Sequence, residues 1–215
     1  MDNIDQIIQE IDERLDQKNQ VREEALRDSR RVIQQGSKII RAIHRHEWEN
    51  ARNLLDAAAE LVQTMNEKTR PLPDLYWTGY VQDAQKEFTE ANLTLALVRH
   101  TPLPTPTELG VEDASYLKGL SEAASELRRY ILDLVRQSEL SEADQLLNTM
   151  EEVYSHLIAI DYPHAITNNL RRSTDVLRSV LERTRGDVTV AMRQQELQEA
   201  LRSVEARLQE LKIGD

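Results

Sequence analysis

The chain has 215 residues and a formal net charge of −11, and its 40% hydrophobic and 30% charged residues indicate a globular rather than a disordered protein. It contains no cysteine, which excludes disulfides and thiolate metal sites, and its six glycines and six prolines are too few for an all-β protein. No apolar stretch approaches the length of a membrane span, and the acidic amphipathic first residues do not form a signal peptide. We therefore expect one cytoplasmic domain, residues 1–215.

Apolar residues recur at three- and four-residue spacing along nearly the whole chain, which indicates helix. In chain order the predicted helices cover about residues 2–17, 20–45, 47–69, 74–99, 111–137, 139–160, 164–184 and 187–212, and the first two can be continuous. The proline-rich stretch His100–Gly110 is the clearest loop, and Gly186 marks a helix stop. Because long helices with short connections pack as antiparallel neighbours, we expect an all-α bundle of seven to eight helices.

Cationic side chains concentrate along one side of the second predicted helix. They form what we call the basic stripe: Arg27, Arg31, Lys38, Arg41 and Arg45. A separate set at alternating spacing predicts the core seam of this helix: Leu26, Ile33, Gly36, Ile40 and Ile43. The stripe is either a solvated face paired with acids of a neighbouring helix or a surface that follows nucleic-acid phosphates. No aromatic residues interleave with it, so nothing here indicates base stacking.

Two glutamates interrupt an otherwise apolar segment, AQKEFTEANLTLALV, which covers residues 84–98. Glu87 shares a helix side with Ala84 and Ala91, and Glu90 follows one turn later. Neither residue four positions from Glu87 is basic, so its carboxylate needs a partner from elsewhere. That partner is predicted to be an arginine of another helix or a metal ion.

A second acidic pair lies in the next long helix, where Glu122 and Glu126 stack four residues apart. This pair falls opposite the apolar face, and Lys118 and Arg129 can pair with it, so a solvated surface is the favoured interpretation when the pair is considered alone. Taken together, the two pairs can form a cluster of hard oxygen ligands that suits Mg²⁺ or Mn²⁺. Such a site typically assists attack of water on phosphorus.

Other features indicate less. His44, His46 and His100 are expected to have structural or capping roles, and the sequence contains neither a glycine-rich phosphate loop nor a G-x-S-x-G motif. The last predicted helix carries a heptad-like apolar seam, for which we expect ordinary bundle packing, with pairing to another subunit as the alternative. Its members are Val190, Leu197, Leu201, Val204, Leu208 and Leu211.

An ordered set of motifs resembles the translin superfamily, which comprises translin, translin-associated factor X and archaeal relatives. The motifs are SRRVIQQGSKIIRAIHR, EFTEA, SYLKGLSEAASELRR and DYP, and the resemblance runs from about residue 21 to residue 211. It implies a seven-helix all-α fold, large hollow oligomers that are often octamers, and binding of single-stranded RNA or DNA. In the factor X branch it implies a Mg²⁺-dependent endoribonuclease, whose E-x-x-E motif matches Glu87 and Glu90. The second acidic motif of that branch matches Glu122 and Glu126.

The chain also departs from the factor X pattern. An acid that often precedes the E-x-x-E motif is replaced by Ala84, and Glu122 stands where that branch tends to have aspartate. The resemblance thus implies a Mg²⁺- or Mn²⁺-dependent endoribonuclease in a homo-oligomer, with the four glutamates as metal ligands and catalytic residues and the basic stripe guiding the strand. The alternatives are a noncatalytic scaffold for single-stranded RNA or DNA, an all-α nucleotide pyrophosphohydrolase and a structural bundle.

Overall fold

The structure, a computed structural model, describes residues 3–213, with side chains as far as Gln209. This range forms nine helices and no strand, which confirms the all-α prediction. The helices are α1 (Ile4–His44), α2 (Trp48–Thr69), α3 (Pro73–Tyr76), α4 (Gly79–Val98), α5 (Pro106–Leu109), α6 (Asp113–Arg136), α7 (Leu140–Ile158), α8 (His164–Thr167) and α9 (Leu170–Ile213).

Helix boundaries differ from the prediction in four places. The first two predicted helices are one continuous helix, α1, as the prediction allowed. The predicted helix at 74–99 is divided into α3 and α4, and the one predicted from residue 164 is divided into α8 and α9. The helix stop predicted at Gly186 is wrong, because α9 continues through it. A glycine inside a helix costs only about 1 kcal/mol relative to alanine, and the buried Leu181 and Val188 on either side anchor α9 to the core. The short α5 lies within the predicted loop.

The core seam of α1 is shifted by one residue from the prediction. Gly36 and Ile43 are buried as expected, but Leu26, Ile33 and Ile40 are partly exposed. The remaining buried apolar positions are Ala25, Val32, Ile39 and Ala42. The shift has a physical reason: α1 packs against both α2 and α4, so two adjacent stripes of the helix are covered rather than one.

Helices α4 and α6 run in the same direction, whereas short connections predicted antiparallel neighbours. The backbone N–H of Glu112 donates to Gln85 Oε1 at 3.0 Å, and Ser115 Oγ donates to the Gln82 carbonyl at 3.0 Å. Further along, Gly119 lies against Thr89. From Gln82 beside Ser115 to Thr89 beside Gly119, the paired positions advance together along both helices, because residues 99–112 carry the chain back to the level at which α4 begins. Parallel packing in this register is what sets the two acidic pairs side by side.

The outer ends of α1 and α9 expose apolar side chains. On α1 these are Ile4, Ile7, Ile8, Ile11 and Leu15, and on α9 they are Val190, Leu197, Leu201, Val204 and Leu208. Ordinary bundle packing of the α9 seam is therefore wrong for these five positions, since nothing within the described range covers them; the side chain of Leu211 lies outside it. None of the helices in residues 3–213 is both long and apolar enough to cross a membrane.

Candidate metal centre

Three of the four predicted glutamates come together between α4 and α6. One carboxylate oxygen from each of Glu87, Glu90 and Glu122 lies within 4.8 Å of the other two. All three side chains are half-buried. Glu87 and Glu90 are three residues apart and lie on the side of α4 that faces α6, because the buried Gln82 and Gln85 fix the register one turn earlier.

The ammonium group of Lys86 lies between two of these carboxylates. Its Nζ is 2.9 Å from Glu87 Oε1 and 2.6 Å from Glu122 Oε2. The lysine side chain is only 14% exposed. Burial lowers the pKa of Lys86, but its hydrogen bonds to Glu122 and Glu87 outweigh that effect and raise it. Lys86 therefore remains charged and offsets part of the negative charge of the cluster.

The crowding of carboxylates acts most strongly on the pKa of Glu90. Burial is the largest cause that raises its pKa from the ordinary 4.5 to about 8, followed by repulsion from Glu122, Glu87 and Glu126. Lys86 acts in the opposite direction but does not compensate. The ionised form of Glu90 is thus disfavoured by burial and by the carboxylates around it, and a cation among the oxygens would stabilise that form.

Glu126 stands beside the three-carboxylate group and is held by a histidine of α1. His44 Nε2 lies 3.1 Å from Glu126 Oε2, and the His44 side chain is 1% exposed. The other ring nitrogen, Nδ1, is buried and has no hydrogen-bond partner among the described residues. Because Glu126 also raises the pKa of Glu90, it belongs to the same electrostatic group. Three helices, α1, α4 and α6, therefore build the site.

Two of the site's residues were not recognised in the sequence. The sequence did contain an indication of Lys86, since this residue precedes Glu90 by four positions on one helix side. The prediction that Glu87 lacks a cation on its own helix is wrong, because Lys86 of α4 contacts it. The sequence also contained an indication of His44, because its position four residues after Ile40 places it beside the predicted core seam of α1. The pairing of Glu122 and Glu126 with Lys118 and Arg129 is not observed among the described residues, where Lys86 and His44 take those places.

A close crossing of α4 and α6 beside the site yields a stability prediction. A Cβ at Gly119 would lie 2.7 Å from Thr89 Cβ and 2.9 Å from the Lys86 carbonyl oxygen. Overpacking of this kind costs about 1–3 kcal/mol, so Gly119→Ala is expected to lower the free energy of unfolding in urea. Gly186→Ala on α9 is the matched control, because its Cβ meets nothing within 4 Å, and it is expected to raise stability by up to about 1 kcal/mol. Equal effects of the two substitutions contradict this account of the crossing.

The basic stripe lies on the far side of α1 from the carboxylates. Gly36 faces the site, since a Cβ there would be 3.4 Å from the Glu87 carbonyl oxygen. At about 100° per residue, the stripe residues lie roughly 140–220° round the helix from Gly36. All five stripe side chains are exposed, and the ion pair found for them in the described range is local, between Arg31 and Asp28 at 3.5 Å. The stripe is therefore free for a partner but remote from the carboxylates of its own chain.

Comparison with known proteins identifies the class. No protein-family model matches the chain. An uncharacterised protein of Methanocaldococcus jannaschii is 31% identical over 191 residues, which cover 87% of this chain and 84% of that one. The structure of AfC3PO in complex with duplex RNA superimposes with a TM-score of 0.80 at 30% identity, covering 86% of this chain and 96% of that one. A second AfC3PO structure has the same TM-score at 29% identity and the same coverage.

The structure of apo-NeC3PO superimposes with a TM-score of 0.77 at 20% identity, covers 86% of this chain and 96% of its own, and shows the fold alone. The all-α architecture of this chain is thus that of the C3PO structures. The chain belongs to the translin superfamily, as its motifs predicted.

Proposed function

We propose that this protein is a divalent-metal-dependent endoribonuclease that cleaves single-stranded RNA within a homo-oligomer. The observation that carries the proposal is the convergence of Glu87, Glu90 and Glu122, whose carboxylate oxygens lie within 4.8 Å of one another. Carboxylate oxygens without histidine or cysteine are the donors preferred by Mg²⁺ and Mn²⁺. Glu126 completes the set predicted from the sequence.

The residues present fit a divalent cation. Glu90 has a raised pKa because its carboxylate is buried beside other carboxylates, and a cation is what relieves that repulsion. Lys86 supplies one positive charge at the same place but leaves the pKa of Glu90 raised, so the chain does not fully neutralise the cluster. Glu87, Glu90 and Glu122 would hold the ion, and Glu126 would contribute through its neighbouring carboxylate.

A bound divalent cation supplies Lewis-acid chemistry, in that it offsets charge on phosphoryl oxygens and lowers the pKa of water. The chain's own residues arrange the surroundings of that reaction. Half-burial of the three carboxylates limits the access of bulk water and strengthens the local field. His44 orients Glu126, and Lys86 offers an ammonium group that can neutralise charge near Glu87 and Glu122.

RNA is the proposed substrate on two grounds. AfC3PO, which is 30% identical, is known in complex with duplex RNA, and the motif resemblance implies single-stranded RNA or DNA. The exposed basic stripe on α1 offers phosphate-binding charge in an otherwise acidic chain. Because the stripe faces away from the carboxylates, we propose that it guides a part of the strand distant from the cleavage site.

Assembly into a homo-oligomer is supported by the uncovered ends of two helices. The exposed isoleucines of α1 and the exposed seam of α9 are apolar stripes of about three turns or more that a single chain does not cover. A second copy of the chain is a natural cover for both, and the resemblance implies large oligomers that are often octamers. The mass measured by light scattering tests the assembly, and a monomer at micromolar concentration contradicts it.

The alternative is a noncatalytic scaffold that binds single-stranded RNA or DNA. Lys86 supports it, because its ammonium group already contacts both Glu87 and Glu122. This alternative predicts binding with a steep salt dependence and no cleavage in Mg²⁺ or Mn²⁺.

The deciding experiment incubates the purified chain with a short labelled single-stranded RNA, with Mg²⁺, with Mn²⁺ and with EDTA, and follows cleavage on a gel. Duplex RNA and single-stranded DNA of the same sequence are run alongside. Cleavage of single-stranded RNA with either cation and none in EDTA is the expected result. Binding without cleavage under all conditions favours the scaffold and contradicts the proposed activity.

The hydrogen bond from His44 to Glu126 gives a prediction that is independent of turnover. Loss of a side chain that orients a metal ligand typically weakens metal binding 10- to 100-fold, so His44→Ala is expected to weaken Mn²⁺ binding by about that factor in calorimetry. His44→Gln can still donate to Glu126 Oε2 and is expected to recover part of the affinity. Equal Mn²⁺ affinity in the parent and the alanine variant contradicts the positioning role.

A further inference from the structure

A cleft opens directly beside the carboxylate cluster, between α6 and the junction of α8 with α9. It has a volume of about 330 Å³, and Glu122 and Ser121 form part of its wall. The opposite wall is built by Asn168, Asn169 and the first turn of α9. Glu122 belongs both to the cleft and to the cluster, so the cleft adjoins the carboxylates.

The cleft is cationic and rich in hydrogen-bond donors, although the protein is acidic. Lys118 and Arg172 line it, and neither forms an ion pair with any residue that the structure describes. Ser121 is 1% exposed, and its Oγ is buried without a hydrogen-bond partner in the described part of the chain. Two uncompensated cations with hydroxyl and amide groups beside them form the donor set that recognises a phosphodiester.

The backbone that places Arg172 in the cleft is unusual. Asn168 and Asn169 are consecutive left-handed residues, with φ of 47° and 65°. Asparagine tolerates this conformation better than most residues. The two residues separate the short α8 from α9, so that Arg172 falls in the first turn of α9 on the side of α6 while Arg171 faces the cleft between α7 and α9.

We propose that this cleft binds a backbone phosphate of the RNA strand next to the bond to be cleaved, with Lys118 and Arg172 as the phosphate ligands. The inference rests on the proposed function and deepens it by assigning the substrate contact at the cluster. The basic stripe cannot make that contact in the same chain, because it lies on the opposite side of α1. The cleft offers cations but no exposed aromatic ring, so it reads the phosphate and not the base.

The test measures binding of fluorescein-labelled U10 and A10 RNA by anisotropy, in EDTA, between 50 and 200 mM KCl. For a single strand, removal of one phosphate contact reduces the slope of log affinity against log salt by about 0.7. Arg172→Gln and Lys118→Gln are each expected to show this reduction, with affinity about 3- to 10-fold lower for both RNAs. Arg171→Gln is the matched control and is expected to keep the parental slope.

The outcomes separate this proposal from the proposed function. If the parent binds RNA while Arg172→Gln and Lys118→Gln keep its slope, the cleft assignment is overturned and the proposed function stands. If the loss occurs with U10 but not with A10, the cleft reads bases and the phosphate assignment is overturned. A parent chain that binds neither RNA overturns the proposed function and the cleft with it. Parallel thermal melts with equal midpoints show that the variants remain folded.

Discussion

Glu122→Gln is expected to reduce Mg²⁺-dependent cleavage of single-stranded RNA by about 100-fold or more while leaving RNA binding in EDTA within about 3-fold of the parent. The amide keeps the size of the side chain but loses the negative charge that holds a cation, and metal-ion catalysis supplies several kcal/mol, which corresponds to this loss. Glu87→Gln is expected to act similarly, because its carboxylate lies in the same group. Cleavage rates at saturating RNA, measured over a range of Mg²⁺ concentrations, test both substitutions.

Asp83→Asn is the matched control for these variants. Asp83 lies on α4, one turn before Glu87, and its side chain is exposed. The same change of one carboxylate to an amide is therefore expected to leave cleavage unchanged within about 2-fold, since Asp83 is not part of the carboxylate cluster and solvent screens its exposed charge. If Glu122→Gln and Glu87→Gln cleave as fast as Asp83→Asn, the cluster is not the catalytic site.

Glu90→Gln is expected to stabilise the metal-free protein at alkaline pH and to abolish most of its stabilisation by Mn²⁺. Burial, together with neighbouring carboxylates, raises the pKa of Glu90 from 4.5 to about 8 in the folded chain. Because the folded pKa is the higher one, its contribution to stability is fully present below about pH 4.5 and is lost as the pH rises through about 8. Glutamine does not ionise and escapes that loss, which is on the order of a few kcal/mol.

Thermal melts at pH 6 and pH 8.5, with EDTA and with Mn²⁺, measure both halves of this prediction. In EDTA the melting temperature of the parent is expected to fall between the two pH values by more than that of Glu90→Gln. At pH 8.5 Mn²⁺ is expected to raise the parent's melting temperature, as any ligand of the native state does, and to raise that of the variant much less. A variant that is less stable than the parent in EDTA at pH 8.5 contradicts the assigned pKa.

The carboxylates between α4 and α6 form a negatively charged site that suits a cation. The ammonium group of Lys86 neutralises part of that charge. Lys86 contacts Glu87 and Glu122 but does not bring the pKa of Glu90 back to its ordinary value. An arrangement with surplus negative charge favours a divalent ion over a single ammonium group, because the interaction scales with charge. The proposed catalytic function requires that the cluster binds a divalent ion, whereas the scaffold alternative does not.

The sequence by itself determined the helical class and the candidate ligands. Helical periodicity depends only on local spacing, so it predicted nearly every long helix, and the ordered motifs around Glu87, Glu90 and Glu122 predicted the superfamily. Local spacing also predicted a helix stop at Gly186 that is wrong. The helix continues there because Leu181 and Val188, on either side of Gly186, are buried in the core, and local spacing does not reveal such tertiary contacts.

Only the tertiary structure decided what these residues contact. The parallel packing of α4 and α6 depends on the path of residues 99–112, which no helical period encodes, and it brings Glu122 to Lys86 rather than to Lys118. The burial of His44 against Glu126 and the shared wall of the cleft at Glu122 likewise arise from helices far apart in the chain. Residue types and their spacing along one helix are local properties, whereas charge neutralisation and ligand geometry depend on which helices meet.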